Sequence, residues 1–322
     1  MASAIWVVTD GRAGNERQAL ALARALAKSD PAKFDGEPRI WRLQALTPWK
    51  QAAPRRLPGS ERAFGEAFQQ ALRDPPDLAI GCGRQAALAT RLLRAAGARV
   101  VQILDPRIDP RHWDAVVVPE HDRLRGPNVI AMLGSLHEVD ADWLAQARAR
   151  HPQFECLPAP RSLLLLGGPI RNVALDETWW RRTIETLRAI RHRDGGSLSV
   201  CASRRTPGWM VDAARRDLPG LHGAHWLASD DGPNPYPGLL AWADRIVVSP
   251  DSVNMISEAV ATNAVVSIAD PGLARGRHAS FLDSLLRSAR VQALDLAVVA
   301  TDASPLRELP RVTGLLRERG IA

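Results

Sequence analysis

Residues 245–259 read RIVVSPDSVNMISEA, an apolar run that passes directly into a helix-start signal. Ile246, Val247 and Val248 are consecutive and β-branched, the pattern of a strand covered on both faces. Ser249 suits an N-cap and Pro250 the first helical position, so a helix is expected where the strand ends. Val253, Ile256 and Val260 then form its core-facing stripe. Asp251 and Glu258, nearly two turns apart, share the other side with Met255 between them. Two readings stand: an acidic face in water with Asp251 complementing the helix dipole, or a face turned into a cleft.

The same strand-to-helix junction recurs along the chain. In the first half, strands are expected at 4–10, 39–43, 77–83, 99–105, 115–121 and 128–133, and helices at 15–27, 61–73 and 84–96. The Pro-rich stretch HPQFECLPAPR (151–161) breaks the pattern and reads as a linker. Strands then restart at 162–168, 197–203, 222–228, 245–250 and 264–270. Helices are expected near 176–192, 207–217, 236–243, 276–289 and 304–319. The alternation implies two α/β units with mostly parallel sheets. Residues 1–155 are expected to form the first and 161–300 the second, with a C-terminal helix in 301–322 packing back on the first. Paired units of this kind bind ligands at the carboxyl ends of their strands, in the crevice between them.

The 322 residues are 46% apolar and 24% charged, which fits a soluble globular chain of two domains. Lysine occurs only at 28, 33 and 50, so 39 of the 42 basic residues are arginine. The net charge of +7 suits phosphate or diphosphate ligands and peripheral contact with an anionic membrane. A GC-rich genome that replaces lysine by arginine gives the same composition. No basic–aromatic interleaving or zinc-finger spacing points to nucleic acid. Cys82, Cys156 and Cys201 are far apart and lack metal-type spacing, which argues for a reducing compartment. No run approaches the ~20 apolar residues of a membrane span, and no signal peptide is visible. The expected location is cytoplasmic, peripheral at the inner membrane at most.

The candidate site residues fall where strands end. In TDGRAGNERQAL (9–20), Gly11 and Gly14 are expected to let the backbone turn toward an anion. The segment offers no G-x-G-x-x-G and no P-loop lysine. GCGRQAA (81–87) is a second glycine turn. Asp10, Asp105 and His121 are the candidate catalytic bases, with no reason to prefer one. In the second half, Gly167 and Gly168 stand at a strand end, and Ser203, Arg204 and Arg205 at the next. A paired-arginine loop suits a diphosphate. Asn234 and Tyr236 lie in a Pro-rich loop. Ser249, Asp251 and Ser252 open the helix under discussion, which would hold a diphosphate at its start and a ribose at Glu258. Asp251 would repel that diphosphate unless Arg204, Arg205 or a metal intervenes, or else it serves the cap.

DGRAGNERQALALA, VQILDPR, VVVPEHD, GPNV, SRRTP, NPYPGLLAWAD and SPDSVNMISEA together resemble the plant elongated-mitochondria (mitochondrial fission) protein family and its bacterial relatives, over about residues 4–290. The resemblance implies the GT-B glycosyltransferase architecture: two Rossmann-like domains facing across a cleft, with the nucleotide-sugar held mainly by the second. It implies a metal-independent enzyme without a cofactor, taking a nucleotide-diphosphate sugar as donor and a lipid-linked or glycan acceptor, in cell-surface glycan or lipopolysaccharide assembly. The Glu258 position resembles the ribose-binding glutamate of that superfamily, and its segment also resembles non-hydrolysing nucleotide-sugar 2-epimerases. An epimerase on the same fold is therefore one alternative. A non-catalytic scaffold is the other, since the plant member is implicated in recruiting a dynamin-type fission protein.

Overall fold

The computed structural model describes residues 4–34, 36–299 and 302–321. The chain divides into two compact units, Met1–Glu138 with Arg307–Ala322, and Val139–Leu306.

The first unit holds β1 (Ile5–Thr9), α1 (Ala13–Ser29), β2 (Arg39–Arg42), α2 (Trp49–Ala52), α3 (Glu66–Ala71), β3 (Leu78–Cys82), α4 (Arg84–Ala95), β4 (Arg99–Ile103), β5 (Ala115–Pro119) and β6 (Val129–Met132). The strands form one parallel sheet in the order β2-β1-β3-β4-β5-β6. Strand alternation sorts its apolar residues into two cores. Ile5, Val7, Leu78, Ile80, Val101 and Ile103 pack with Leu22 and Leu26 of α1. Trp6, Val8, Ala79, Val100 and Val116 pack on the other face with Leu88 and Leu92 of α4. Burial on both faces explains why these strands read as unbroken apolar runs.

The second unit holds α5 (Ala141–Arg150), β7 (Arg161–Leu166), α6 (Glu177–Asp194), β8 (Ser197–Ala202), α7 (Gly208–Asp217), β9 (His225–Trp226), α8 (Tyr236–Trp242), β10 (Arg245–Val248), α9 (Val253–Ala259), β11 (Val265–Ile268), α10 (Arg277–Arg287) and β12 (Gln292–Ala293). Its parallel sheet runs β12-β11-β10-β7-β8-β9. Counted from β7, this is the 3-2-1-4-5-6 order of doubly wound dinucleotide folds. The final helix, α11 (Glu308–Glu318), buries Val312 and Leu316 in the same core as Leu22 and Leu26 of the first unit.

Several expected boundaries move. The stretch 151–161 is not a linker but part of the second unit, which begins at Val139 rather than after 155. The reason is α5, capped by Asp140 onto the Trp143 N–H at 2.7 Å and unread in the sequence. Arg148 donates to the Ala241 carbonyl at 2.8 Å, and Trp242 to the His151 carbonyl at 2.9 Å, which ties α5 to α8. The expected helix at 61–73 is broken by Gly65, whose φ of +83° leaves a 3-10 turn before α3. The strand expected at 222–228 is only two residues long.

Candidate functional site

In each sheet the strand order reverses once, and ligands of doubly wound folds sit at that point, beyond the carboxyl ends of the two flanking strands. The reversal lies between β1 and β3 in the first unit and between β7 and β10 in the second.

At the second-unit reversal the loops after β7, β8 and β10 form one hydrogen-bonded knot. Asp251 is its centre, with a fully buried side chain. Its carboxylate accepts from the Gly168 N–H at 3.1 Å, the Ser249 hydroxyl at 2.6 Å and the Arg205 guanidinium at 2.6 Å. Ser249 Oγ in turn accepts from the Gly167 N–H at 2.8 Å. Thr206 donates its hydroxyl to the Leu166 and Gly167 carbonyls at 2.9 and 2.8 Å, and Ser203 N–H bonds Thr206 Oγ1 at 2.9 Å. His278 Nε2 contacts the Asp251 carbonyl at 3.1 Å. Both glycines are required by space: a Cβ on Gly167 would stand 2.2 Å from either Asp251 oxygen, and one on Gly168 2.0 Å from the Arg205 carbonyl oxygen.

This knot corrects the expected roles. The N–H groups of Gly167 and Gly168 are occupied by Ser249 and Asp251. The helix cap is Ser252, accepting from Met255 N–H at 3.4 Å, and not Ser249; α9 starts at Val253, after Pro250. Asp251 therefore precedes the helix and does not share a helical face with Glu258. Neither carboxylate is solvated: Asp251 is 3% and Glu258 6% exposed. The hydroxyl of Tyr236 donates to Glu258 Oε2, and the Tyr236 N–H to Asn234 Oδ1 at 2.9 Å. Arg204 is exposed and makes no hydrogen bond or ion pair among the described residues. Burial pushes the nearby Cys201 thiol up to about 12, which keeps it neutral and unreactive.

At the first-unit reversal, Asp10 follows β1 and accepts from Asn15 Nδ2 at 3.0 Å and from the Arg12 N–H at 3.2 Å, with the Arg12 guanidinium at 3.4 Å. Asn15 fits because Gly83, at φ +95°, has no Cβ; one would stand 2.7 Å from Asn15 Nδ2. Gly11 makes the expected turn at φ +81°. Gly14 does not: it lies inside α1, where the Gln18 side chain bonds its carbonyl at 3.4 Å. Asp105, after β4, repeats the Asp10 arrangement, accepting from the Arg107 N–H at 2.8 Å with the guanidinium at 3.4 Å. His121 lies in a 3-10 turn after β5, partly buried. Asp10 alone of the three candidate bases stands at the strand-order reversal.

Two features escaped the sequence reading. The tripeptide Asp-x-Arg occurs at 10–12, 105–107 and 109–111, and in each the aspartate accepts the arginine N–H and pairs with its guanidinium. This is an Asx turn closed by its own counter-ion, and its signal is the repeated spacing. Gln102 is fully buried in β4 and donates to the Gly83 and Ile103 carbonyls at 3.2 and 2.8 Å, so it shapes the β3–α4 turn. A lone amide inside VVQIL was its signal. Among the described residues no group of three His, Cys, Asp or Glu side chains could hold a metal ion, and no helix is long and apolar enough to cross a membrane.

The sequence profile of the mitochondrial fission ELM1 family matches residues 13–319. The mitochondrial fission protein ELM1 of Arabidopsis thaliana is 29% identical over 240 residues, 66% of this chain and 56% of that protein, so the chain matches little more than half of that relative. Among solved structures, the UDP-GlcNAc 2-epimerase of Methanocaldococcus jannaschii superposes with a TM-score of 0.60 at 12% identity, covering 98% of this chain and 99% of that one. MurG of Acinetobacter baumannii superposes with a TM-score of 0.50 at 13% identity, covering 99% and 92%. At such identities the likeness is one of fold, and that fold is the GT-B type with two Rossmann-like domains.

Proposed function

The chain belongs to the mitochondrial fission ELM1 family, and on that premise we propose that it binds a nucleotide-diphosphate sugar at the second-unit strand-order reversal and transfers the sugar to a glycan or lipid-linked acceptor. The observation that carries this reading is Glu258, a buried carboxylate held by the Tyr236 hydroxyl on the helix that follows β10. Carboxylates in this position suit the paired hydroxyls of a ribose. Arg204 supplies an uncommitted guanidinium for the diphosphate, and Arg205, half exposed although tied to Asp251, a second. The name of the archaeal structural relative, a UDP-GlcNAc 2-epimerase, supports the same ligand class and makes UDP the first nucleotide to test.

In this reading the acceptor oxygen attacks the anomeric carbon and the bond from that carbon to the diphosphate oxygen breaks. The electron pair leaves with the nucleoside diphosphate, whose growing charge the guanidiniums stabilise. The acceptor proton passes to a carboxylate, for which Asp10 is favoured by its place at the first-unit reversal.

The test is a thermal-shift titration with UDP, GDP, CMP, TDP and ADP on wild type, Arg204→Gln and Glu258→Gln. A ligand of the native state raises the melting temperature by mass action. One nucleotide should stabilise the wild type and do so less in both variants; no shift with any nucleotide at millimolar concentration would sink the proposal. Conversion of a nucleotide-sugar without any acceptor would replace transfer by epimerisation. A silent active site would favour the scaffold role that the name of the plant relative suggests.

A further inference from the structure

The amino-terminal end of the first sheet carries a second basic feature. Arg99 opens β4, Asp114 precedes β5 and Asn128 precedes β6, so all three lie at the amino ends of their strands. With Arg94, Arg111 and Arg319 they line a cavity of about 540 Å³, walled also by Trp113 and Pro127. We infer that this cavity is a binding site for a small molecule carrying a phosphate or diphosphate group.

Among the described lining residues four guanidiniums face one carboxylate, and that carboxylate is already spent. Asp114 accepts from Arg94 at 3.0 Å through one oxygen and from the Val100 N–H at 2.7 Å through the other. Arg111 is held by Asp109 through two bonds of 2.9 and 2.6 Å, and this pairing keeps the Asp109 carboxyl down to about 2. The other two arginines are less committed. Arg99 uses one N–H on the Gly320 carbonyl. The side chain of Arg319, exposed at the end of α11, makes no hydrogen bond or ion pair among the described residues.

Two forked donors with unspent N–H groups match the several oxygens of a phosphate better than the single edge of a carboxylate. The volume lies within the range of small-molecule pockets and exceeds what an inorganic ion needs, so the phosphate is expected on a larger body. None of these residues belongs to the loops after β1, β3, β7 or β10, so the inference stands apart from the nucleotide-sugar reading.

Hydrogen-exchange mass spectrometry with inorganic pyrophosphate, at ionic strength matched with sodium chloride, reads the site locally. In the Arg204→Gln background, which weakens the proposed second-unit site, pyrophosphate should protect segments 94–99, 110–114 and 316–321. Arg319→Gln should weaken that protection about tenfold and Arg99→Gln with Arg319→Gln more, as lost charge-assisted hydrogen bonds predict. Arg319→Gln removes no contact present in the structure, so it reports even where the double variant folds poorly. Sedimentation with phosphatidylcholine vesicles containing phosphatidic acid separates the sources: co-sedimentation lost in the variants identifies a lipid headgroup, and binding of pyrophosphate alone a soluble ligand. No protection at about 10 mM pyrophosphate, or equal protection in the variants, overturns the inference.

Discussion

Replacing Asp251 by alanine removes one acceptor on which three donors converge. The Gly168 N–H, the Ser249 hydroxyl and the Arg205 guanidinium all end on its carboxylate, within 2.6–3.1 Å. The side chain is fully buried, whereas Arg205 is 46% exposed. The ion pair is thus worth little on its own, because Arg205 can turn to water; a half-exposed pair contributes roughly 1 kcal/mol or less. The larger cost is the buried Gly168 N–H left without an acceptor, about 1–3 kcal/mol, to which the hydrogen bond from Ser249 adds about 1–2 kcal/mol. Together Asp251→Ala should cost roughly 3–5 kcal/mol. For a unit of this size that is a fall of roughly 10 °C in melting temperature. Asp251→Asn keeps an acceptor for Gly168 but turns an amide toward Ser249, so about 1–2 kcal/mol is expected. Urea unfolding followed by tryptophan fluorescence reads the loss, since Trp179 and Trp180 are buried in this unit and Trp6 and Trp113 in the other. An alanine variant within about 1 kcal/mol of wild type, or an asparagine variant less stable than the alanine one, would refute the view that Asp251 ties the three loops together.

Gly83→Ala should destabilise the first unit more than Gly97→Ala, in differential scanning calorimetry, by about 1–2 kcal/mol. Both have positive φ, but only at Gly83 does a Cβ meet a neighbour, Asn15. Gln102→Leu should cost about 1–2 kcal/mol, measured as a shifted urea midpoint, by removing its bonds to the Gly83 and Ile103 carbonyls and from the Thr90 hydroxyl, each of which keeps a second partner. Cys201 keeps its proton when folded up to about 12 but loses it near 9 when unfolded, so the native state binds more protons and stability falls as pH rises through that window. Cys201→Ala should flatten the fall in urea midpoints from about pH 8 to about pH 10.5. Arg204→Gln should weaken nucleotide binding at unchanged melting temperature, while Asp10→Asn should lower turnover and leave nucleotide binding in place; the reverse outcome would move the donor to the first unit.

The fold was legible because every core strand is buried on both faces, so RIVV, LAIGC and AVVVP announce themselves without any alternation to decode. Where an element rests on tertiary contact, the sequence was mute. Helix α5 has only Leu144 and Ala147 buried, too thin a stripe to read, and it is fixed by side-chain bonds to α8 and by His151 lying where Gly238 has no Cβ. The candidate site was legible as a set of residues but not as a set of partners. Ser249, Asp251, Gly167 and Gly168 stood out as strand-end polar and glycine residues. That the serine and the aspartate take up the two glycine N–H groups depends on β7 and β10 being neighbours, which only the strand order decides.

The two strand-order reversals differ in the charge they leave uncommitted, and the proposed chemistry rests on that difference. In the first unit Arg12, after β1, folds back on Asp10, and Arg107, after β4, on Asp105, whereas Arg84, which opens α4, donates to the Lys50, Gln51 and Ala53 carbonyls. A carboxylate retains acceptor sites beside one such partner, so Asp10 can take up a proton. In the second unit the assignment is inverted. Asp251 is consumed by the loops it ties, which removes a negative charge from the crevice, and Arg204 next to its partner Arg205 is left unpaired. A departing diphosphate would be stabilised by the second environment. The internal carboxylate that at first speaks against a diphosphate site is therefore compatible with one, because its charge is cancelled by Arg205 before any ligand arrives.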